Sequence, residues 1–340
     1  MRTIIVGSGL AGVTLAEELR KKKPQDPVTL ITREVRGYYS RPMLSHGFAR
    51  DDIEQKIILK TFDALSALGI EVLSGTDVAT IDRRQQELHV VAGGRNDTRG
   101  YDRLVLAVGS EAQIPPPLKT ARDLFHVIND LDDLIEVRAL RTDFLLRHQS
   151  RPHWAVIGGG LIGCEVASDL AKAGDPVTLF HAMDRLMERQ LLASDSDLLV
   201  DVLKHQSITV NLNTQVQGLS RAGEAITVHL SGEDRPNFNG VLVATGFKPR
   251  TQLAQEAGLP VNLGILVDEF LKTVDPSILA LGDAAEFPDG RLYPYVMPIR
   301  QQALWLAEFL TGATEAAWIP PSFTPRAKVH GFVPVHPQTL

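Results

Sequence analysis

The sequence predicts an α/β protein that contains the same βαβ unit twice. The glycine pattern GSGLAG (7–12) follows a short apolar run near the start of the chain, and GGGLIG (158–163) follows another. Downstream of each pattern the residues DPVTL recur, at 26–30 and at 175–179, and later segments end in LAVG (106–109) and VATG (243–246). One glycine pattern is weak evidence, but matching segments in the same order predict an internal repeat.

Each copy is predicted as strand, tight turn, helix and strand. The runs RTIIVG (2–7) and HWAVIG (153–158) are rich in β-branched and apolar residues and end in glycine, which is typical of buried parallel strands. AGVTLAEELRKKK (11–23) and IGCEVASDLAKAG (162–174) carry apolar residues three and four positions apart, which predicts amphipathic helices. Segments 80–107 and 220–244 alternate apolar and polar residues around glycine-rich turns and predict two antiparallel meanders. IPPPL (114–118) predicts a stiff connection between domains.

Length and composition exclude several classes of protein. The 340 residues exceed one compact domain, and 44% hydrophobic with 22% charged residues is ordinary for a globular protein. No apolar run approaches the roughly 20 residues of a membrane span. The apolar N-terminus is interrupted by glycines, so we predict a first strand and not a signal peptide. The net charge of −6 argues against nucleic acid, and the single cysteine excludes an internal disulfide and fits the cytoplasm.

The two glycine patterns predict two dinucleotide sites. In such a loop the first glycine makes the tight turn and the second lets a pyrophosphate approach the backbone, while the third lets the helix pack closely on the strand. The phosphate then meets free N–H groups at the positive end of the helix dipole.

An acidic side chain after the second strand of such a unit usually holds the ribose hydroxyls. Glu34 is the candidate in the first copy, and His181 stands at the corresponding place in the second. NADH and NADPH therefore both remain open. Arg185 and Arg189 lie near enough in sequence to meet a 2′-phosphate, although arginines on a helix surface are common without a ligand.

A third motif, TVDPSILALGDAAE (273–286), ends a predicted strand in Gly282-Asp283. Together with the first glycine loop it resembles the flavin-binding pattern of the two-dinucleotide flavoproteins, a family that includes glutathione reductase and the ferredoxin and rubredoxin reductases. The resemblance covers about residues 2–311. It implies two Rossmann-like three-layer ββα dinucleotide-binding domains of the glutathione reductase type, with the C-terminal interface domain of the family largely absent. The implied division is a discontinuous FAD-binding domain (1–113 and 247–320), an NAD(P)H-binding domain (114–246) and a short Pro-rich tail (321–340).

Four segments narrow the resemblance within the family. YYSRPMLSHGF (38–48), INDLDD (128–133), GGGLIGCE (158–165) and LYPYVMP (292–298) are similar to segments of the rubredoxin reductases, which have Lys where this chain has Arg41. The redox-active cysteine pair of the disulfide reductases is missing from the sequence, and Ser40 and Ser45 stand near the position of the single cysteine of other relatives. A serine hydroxyl cannot perform thiolate redox chemistry, so electrons must leave for an outside acceptor.

The resemblance implies roles for particular residues. Arg41 would lie near the flavin N5 and pair with Glu165, and these two are the predicted catalytic residues. The predicted FAD-binding residues are Gly7, Gly9, Leu10, Ala11, Gly12, Glu34, Arg41, Pro42, Val78, Ala107, Gly109, Gly282, Asp283 and Met297. The predicted NAD(P)H-binding residues are Gly158, Gly160, Leu161, Ile162, Gly163, Glu165, His181, Arg189, Thr245 and Gly246. The only cysteine, Cys164, is predicted to be a small apolar filler of the helix that carries Glu165.

The implied function is an FAD-dependent NAD(P)H reductase that passes electrons to a small acidic iron–sulfur carrier such as rubredoxin. The implied cofactors are FAD and NADH, with NADPH possible, no metal is predicted, and the expected protein is a monomer or a weak dimer. Five arginines are candidates for a basic docking patch: Arg33, Arg36, Arg41, Arg291 and Arg300. The alternatives are an NAD(P)H oxidase or ferredoxin reductase of the same family, or a flavin- or nucleotide-binding protein without turnover.

Overall fold

The computed structural model describes residues 1–232 and 235–339. The chain divides into two compact units, which we describe separately. The first unit comprises residues 1–40, 58–111 and 248–323, and the second comprises residues 41–57, 112–247 and 324–340.

The helices and strands follow one another along the chain with short connections. The strands are β1 Thr3–Val6, β2 Val28–Ile31, β3 Tyr38–Tyr39, β4 Ile58–Lys60, β5 Glu71–Leu73, β6 Thr76–Asp82, β7 Glu87–Ala92, β8 Arg95–Gly100, β9 Arg103–Leu106, β10 Ser110–Ala112, β11 Trp154–Ile157, β12 Val177–Phe180, β13 Thr209–Asn211, β14 Val216–Ala222, β15 Ala225–Leu230, β16 Asn237–Phe238, β17 Gly240–Val243, β18 Phe247–Pro249, β19 Ile265–Leu266, β20 Ile278–Ala280 and β21 Ala285–Glu286. The α-helices are α1 Leu10–Lys22, α2 Ile53–Lys56, α3 Phe62–Ala67, α4 Leu131–His148, α5 Leu161–Lys172, α6 Ala193–His205, α7 Gln252–Glu256 and α8 Val296–Thr311. Segments of 3₁₀ helix cover Arg41–His46, Pro116–Leu124, which is kinked at Ala121, and Gly282–Ala284.

The first unit is built on a five-stranded parallel sheet in the order β20-β9-β1-β2-β5. Every residue of β1 and β2 is buried, which explains why these strands read as continuous apolar runs and not as alternating ones. Helix α1 buries six residues, and five of them, including Val13, Leu15 and Leu19, belong to the core of the unit. The antiparallel sheet β6-β7-β8 belongs to this unit and confirms the first predicted meander.

The second unit repeats this arrangement with a four-stranded parallel sheet in the order β13-β12-β11-β17. The meander β14-β15-β16 confirms the second predicted one, apart from residues 233 and 234, which lie outside the described residues. Helix α5 is buried along its whole middle, including Glu165, Ser168 and Asp169, because segments 41–49 and 328–330 cover the polar side chains of this helix.

The predicted α/β class with two Rossmann-like domains is confirmed. The chain passes between the two units at residues 40–41, 57–58, 111–112, 247–248 and 323–324. The division into an FAD-binding domain, an NAD(P)H-binding domain and a tail stays a prediction. Residues 41–57, which the sequence reading gives to the FAD-binding domain, belong to the second unit, and so do residues 324–340, which it gives to a separate tail. The physical reason is a set of hydrogen bonds from both segments to acidic side chains of α5. Among the described residues, no helix has the length and apolar character needed to cross a membrane.

Candidate nucleotide-binding and redox site

The first glycine loop joins β1 to α1 in a conformation that requires glycine at two of its three positions. Gly7 has φ +115°, and a Cβ placed on it would lie 2.2 Å from the carbonyl oxygen of Ala107. A Cβ on Gly12 would lie 1.9 Å from the Gly7 carbonyl oxygen, so the third glycine is needed for helix packing. No atom lies within 4 Å of a Cβ on Gly9. The second glycine therefore leaves open space at the N-terminus of α1, where a pyrophosphate would approach.

The second glycine loop, between β11 and α5, repeats this geometry. Gly158 has φ +114°, and its Cβ would lie 2.3 Å from the carbonyl oxygen of Ala244. A Cβ on Gly163 would meet the Gly158 carbonyl oxygen at 1.9 Å, whereas a Cβ on Gly160 would meet no atom within 4 Å. Both loops thus have the shape that a dinucleotide pyrophosphate requires.

The Gly282-Asp283 motif lies beside the first glycine loop. A Cβ on Gly282 would lie 3.3 Å from the Cβ of Ala11, in the first turn of α1. The Gly282 N–H donates to Gln302 Oε1 at 2.8 Å, and Ser110 Oγ donates to Asp283 Oδ2 at 2.7 Å. The carboxyl ends of β1, β9 and β20 meet at this edge of the sheet, which is where ligands of open α/β sheets bind.

Glu34 lies in the connection after β2, also at this edge. Its carboxylate accepts a hydrogen bond from the Tyr39 hydroxyl at 2.9 Å, and its N–H donates to Thr32 Oγ1 at 3.1 Å. Thr32 Oγ1 also contacts Ser8 Oγ of the glycine loop at 2.8 Å. The structure therefore brings Glu34, the first loop and the Gly-Asp motif into one region of the first unit.

The remaining predicted FAD-binding residues differ in their surroundings. Ala107 follows β9 and is buried, and Gly109 has φ +68°. Val78 is half-buried in β6, and Met297 is 52% exposed in the first turn of α8. Arg41 and Pro42 belong to the second unit, on the 3₁₀ helix 41–46.

His181 follows β12 and makes two contacts with neighbouring groups. Its Nδ1 accepts a hydrogen bond from the Gly159 N–H at 3.0 Å, and its Nε2 lies 3.2 Å from Glu188 Oε2. Because Nδ1 acts as an acceptor, Nε2 carries the proton and donates to the carboxylate. Glu188, seven residues after His181, is therefore the carboxylate that lies nearest to this position among the contacts of His181, and it was not among the residues predicted from the sequence.

Arg185 and Arg189, the two arginines that follow His181, differ in their hydrogen bonds and exposure. Arg185 donates to the carbonyl oxygens of Leu191 at 2.7 Å and Glu188 at 3.0 Å, so its guanidinium fastens the loop 185–191. Arg189 is exposed. Thr245 and Gly246 follow β17, where Thr245 Oγ1 donates to the Gln113 carbonyl oxygen at 2.7 Å and Gly246 has φ +106°.

Glu165 is 2% exposed and accepts three hydrogen bonds within the second unit. Its Oε1 accepts from the Lys328 N–H at 2.8 Å, and its Oε2 accepts from Lys328 Nζ at 2.7 Å and from Ser45 Oγ at 2.5 Å. Arg41 donates to the carbonyl oxygen of Asn129 at 2.5 Å. The cation that the structure places on Glu165 is therefore Lys328, a residue that the sequence reading did not select, and the pairing of Glu165 with Arg41 stays a prediction.

Cys164 is fully buried in α5, and its Sγ lies 3.4 Å from the Gly159 carbonyl oxygen as a weak donor. Burial raises the pKa of the Cys164 thiol, and the nearby charges of Glu165 and Glu188 raise it further. A thiol in this state supplies no thiolate, so the side chain acts as an apolar filler.

We expect Cys164→Ala to keep the turnover of the wild-type protein, with a loss of about 1 kcal/mol of unfolding free energy from the small cavity. NADH-dependent ferricyanide reduction and urea unfolding measure the two quantities. Cys164→Ser is the matched control, since it retains the size but buries a hydroxyl. A loss of turnover above tenfold in the alanine variant, with cofactor content unchanged, would contradict the filler role.

Two glycine loops of the same geometry, with a Gly-Asp motif beside the first, are typical of a protein with two dinucleotide-binding units. The chain belongs to the pyridine nucleotide-disulphide oxidoreductase family, whose pattern matches residues 1–304. The membership predicted from the sequence is therefore confirmed.

Named relatives narrow the comparison. A rubredoxin-NAD(+) reductase of Acinetobacter baylyi is 36% identical over 314 residues, which cover 92% of this chain and 78% of the relative. A nitric oxide reductase FlRd-NAD(+) reductase of Escherichia coli is 34% identical over 310 residues, covering 91% and 78%. Among solved structures, the chain is similar to a putidaredoxin reductase in covalent complex with putidaredoxin, with a TM-score of 0.84 and 28% identity over 97% of this chain and 79% of that one.

Proposed function

We propose that the protein is an FAD-dependent reductase that takes electrons from NADH and passes them to a small iron–sulfur carrier of the rubredoxin class. The observation that carries this proposal is the presence of two glycine loops of the same geometry in one chain, the first of which has a Gly-Asp motif beside it. A flavin, when bound, accepts a hydride equivalent and releases electrons one at a time. The relatives named above, which carry rubredoxin, FlRd and NAD(+) in their names, support the same reaction.

The residues that fit FAD lie in the first unit. The N–H groups at the start of α1 would hold the pyrophosphate, Glu34 would accept the ribose hydroxyls, and Asp283 would hold the ribityl and phosphate end. NADH would bind at the start of α5 in the second unit. In this proposal Arg41 and Glu165 serve the hydride-transfer step, and Lys328 holds the Glu165 carboxylate in place.

The acceptor is proposed to be an acidic protein. Arg33, Arg36, Arg291 and Arg300 are exposed in the first unit and supply positive charge on a chain whose net charge is −6. Weak electron-transfer encounters are typically small in area and steered by charge.

The choice of NADH over NADPH is proposed to depend on Glu188. A carboxylate after the second strand accepts hydrogen bonds from the ribose hydroxyls, and it repels a 2′-phosphate. The hydrogen bond from His181 orients this carboxylate. We expect Glu188→Ala to lower the ratio of kcat/KM for NADH to kcat/KM for NADPH at least tenfold, mainly through a higher KM for NADH.

The matched control is Glu224→Ala, which removes an exposed carboxylate of the second unit that pairs with Arg147. Its ratio should equal that of the wild-type protein. If Glu188→Ala also left the ratio unchanged, the specificity role of Glu188 would be wrong, while the proposed reaction itself would stand.

Flavin content and anaerobic reduction test the proposed reaction. The purified protein should show the absorbance of bound FAD. NADH should bleach this absorbance within the time of one turnover. Oxidised rubredoxin, added afterwards, should then restore it. Rapid NADH oxidation in air without a carrier would favour the oxidase alternative. A protein that binds no FAD, even after reconstitution, would overturn the proposal in favour of a nucleotide-binding protein without turnover.

A further inference from the structure

His46, Asp169 and His330 form a cluster of three potential metal ligands within the second unit. Each offers one ligand atom, and these atoms all lie within 4.8 Å of one another. The residues come from three separate segments: the 3₁₀ helix 41–46, helix α5 and the C-terminal segment 324–340. The cluster is largely enclosed, since the side chains of His46, Asp169 and His330 are 14%, 1% and 27% exposed.

Asp169 is held so that one of its oxygens faces the two imidazoles. Its Oδ2 accepts hydrogen bonds from the N–H groups of Phe48 at 2.7 Å and Ala49 at 3.1 Å. Its Oδ1 lies 2.9 Å from His330 Nε2 and 3.7 Å from His46 Nδ1. Backbone donors of this kind orient a ligating carboxylate in metal sites.

His330 is also fixed from several sides. Its N–H donates to Ser168 Oγ at 3.1 Å, and its carbonyl oxygen accepts from Gln206 Nε2 at 2.6 Å. Its ring Nδ1 lies 3.3 Å from Lys172 Nζ, an ammonium that can only donate. The outward nitrogen of the ring therefore has a partner, and Nε2 is directed to Asp169.

His46 is the member whose polar atoms are not satisfied. Its Nε2 is buried without a hydrogen-bond partner among the described residues, and its Nδ1 is 3.7 Å from Asp169, beyond hydrogen-bond length. The nitrogen available to an ion is Nδ1, which has no hydrogen bond to Asp169 at this distance, and Nε2 keeps the proton. Its ring stands edge-on to that of His330 at a centroid distance of 5.1 Å, which leaves both imidazoles beside the same carboxylate oxygen.

We propose that His46, Asp169 and His330 form a Zn²⁺ site that fastens the C-terminal segment to helix α5. Two imidazoles and one carboxylate are a ligand set that zinc accepts, with water in the fourth position. Two ligand atoms that each lie about 2.0–2.1 Å from a tetrahedral Zn²⁺ are roughly 3.3 Å from each other. The distances from Asp169 Oδ1 to His330 Nε2, 2.9 Å, and to His46 Nδ1, 3.7 Å, lie on either side of this value. The ion takes the place of the proton between His330 Nε2 and Asp169 and occupies the gap at His46 Nδ1. The His330 proton then lies on Nδ1, and the exposed Lys172 ammonium turns away from it. The proposal of this site does not rest on the proposed reductase reaction.

Zinc binding to untagged, EDTA-treated protein tests the site. Titration with ZnCl₂ against a chromophoric chelator should give one Zn²⁺ per chain for the wild-type protein. Both His46→Gln and His330→Gln should bind zinc at least about tenfold more weakly, because each removes one of three ligands. The matched control is His336→Gln, since His336 lies in the same segment but faces Asp195 at 3.8 Å and should leave zinc affinity unchanged.

A thermal melt provides the second measurement. Zinc should raise the unfolding temperature of the wild-type protein and of His336→Gln, and should leave those of His46→Gln and His330→Gln unchanged. Circular dichroism establishes that each variant is folded. A wild-type protein without saturable zinc binding, or His46→Gln and His330→Gln variants that bind zinc like the wild type, would overturn the proposal and leave the cluster as a hydrogen-bonded contact.

Discussion

Gly160→Ala is expected to abolish efficient use of NADH while leaving the protein folded. Gly160 has φ −79° and ψ −172°, a conformation open to any residue, and an added Cβ would meet no protein atom within 4 Å. The stability should change by less than about 1 kcal/mol, because alanine is a poorer N-cap than glycine but also reduces the entropy of the unfolded chain. The new methyl group would occupy the space through which the pyrophosphate reaches the start of α5. The KM for NADH should rise at least tenfold, with bound FAD unchanged.

Two further glycines separate this effect from a folding defect. Gly163→Ala places a Cβ 1.9 Å from a backbone oxygen, so this variant should lose stability as well as NADH binding. Gly218→Ala, in β14, adds a Cβ that meets nothing within 4 Å and should behave like the wild type in both measurements. Stopped-flow reduction and urea unfolding give the two quantities. A normal KM in Gly160→Ala would mean that NADH binds elsewhere.

The parallel-sheet cores and the glycine loops could be predicted from the sequence because their signals are local. Gly7 and Gly158 need a positive φ, and Gly12 and Gly163 need the absence of a side chain, so each unit carries its pattern within six residues. The buried strands β1 and β11 are nearly continuous apolar runs. Such runs are typical of a parallel sheet that is covered on both faces.

The position of the acid near the second loop was only partly predictable. His181 directly follows β12, where an acid is usual, so the sequence left the choice between NADH and NADPH open. Glu188 reaches His181 because the loop 181–191 folds back onto the glycine loop, where the Met187 N–H donates to the Gly159 carbonyl oxygen at 2.9 Å. Such a return of the chain has no periodic pattern in the sequence.

The contacts of the C-terminal segment could not be predicted, because they join residues far apart in sequence. Lys328 is 163 positions from Glu165, and the N–H groups of Val335 and His336 donate to Asp195, about 140 positions away. The segment is rich in proline, and its described residues, 324–339, form no helix or strand. Its role appears only in the folded chain, where it supplies partners to the buried carboxylates Glu165, Asp169 and Asp195.

Lys328→Met is expected to lower the unfolding free energy and to slow flavin reduction. Glu165 would keep two hydrogen bonds, from the Lys328 N–H and Ser45 Oγ, but its buried charge would lose its cation. Breaking a fully buried ion pair costs about 3–5 kcal/mol, and because the Lys328 side chain is 34% exposed we expect a smaller loss of about 2 kcal/mol. Lys328→Arg should recover most of the stability, since it restores a cation.

A double-mutant cycle assigns this effect to the pair. Glu165→Gln removes the charge that Lys328 neutralises, so the double variant should be more stable than the sum of the two single changes predicts, by about 1–2 kcal/mol. Arg326→Met is the matched control, because Arg326 is an exposed cation two residues earlier in the same segment. Its unfolding free energy should match that of the wild type. If Lys328→Met and Arg326→Met had equal effects, the ion pair with Glu165 would contribute nothing, and the segment would be held by its backbone hydrogen bonds alone.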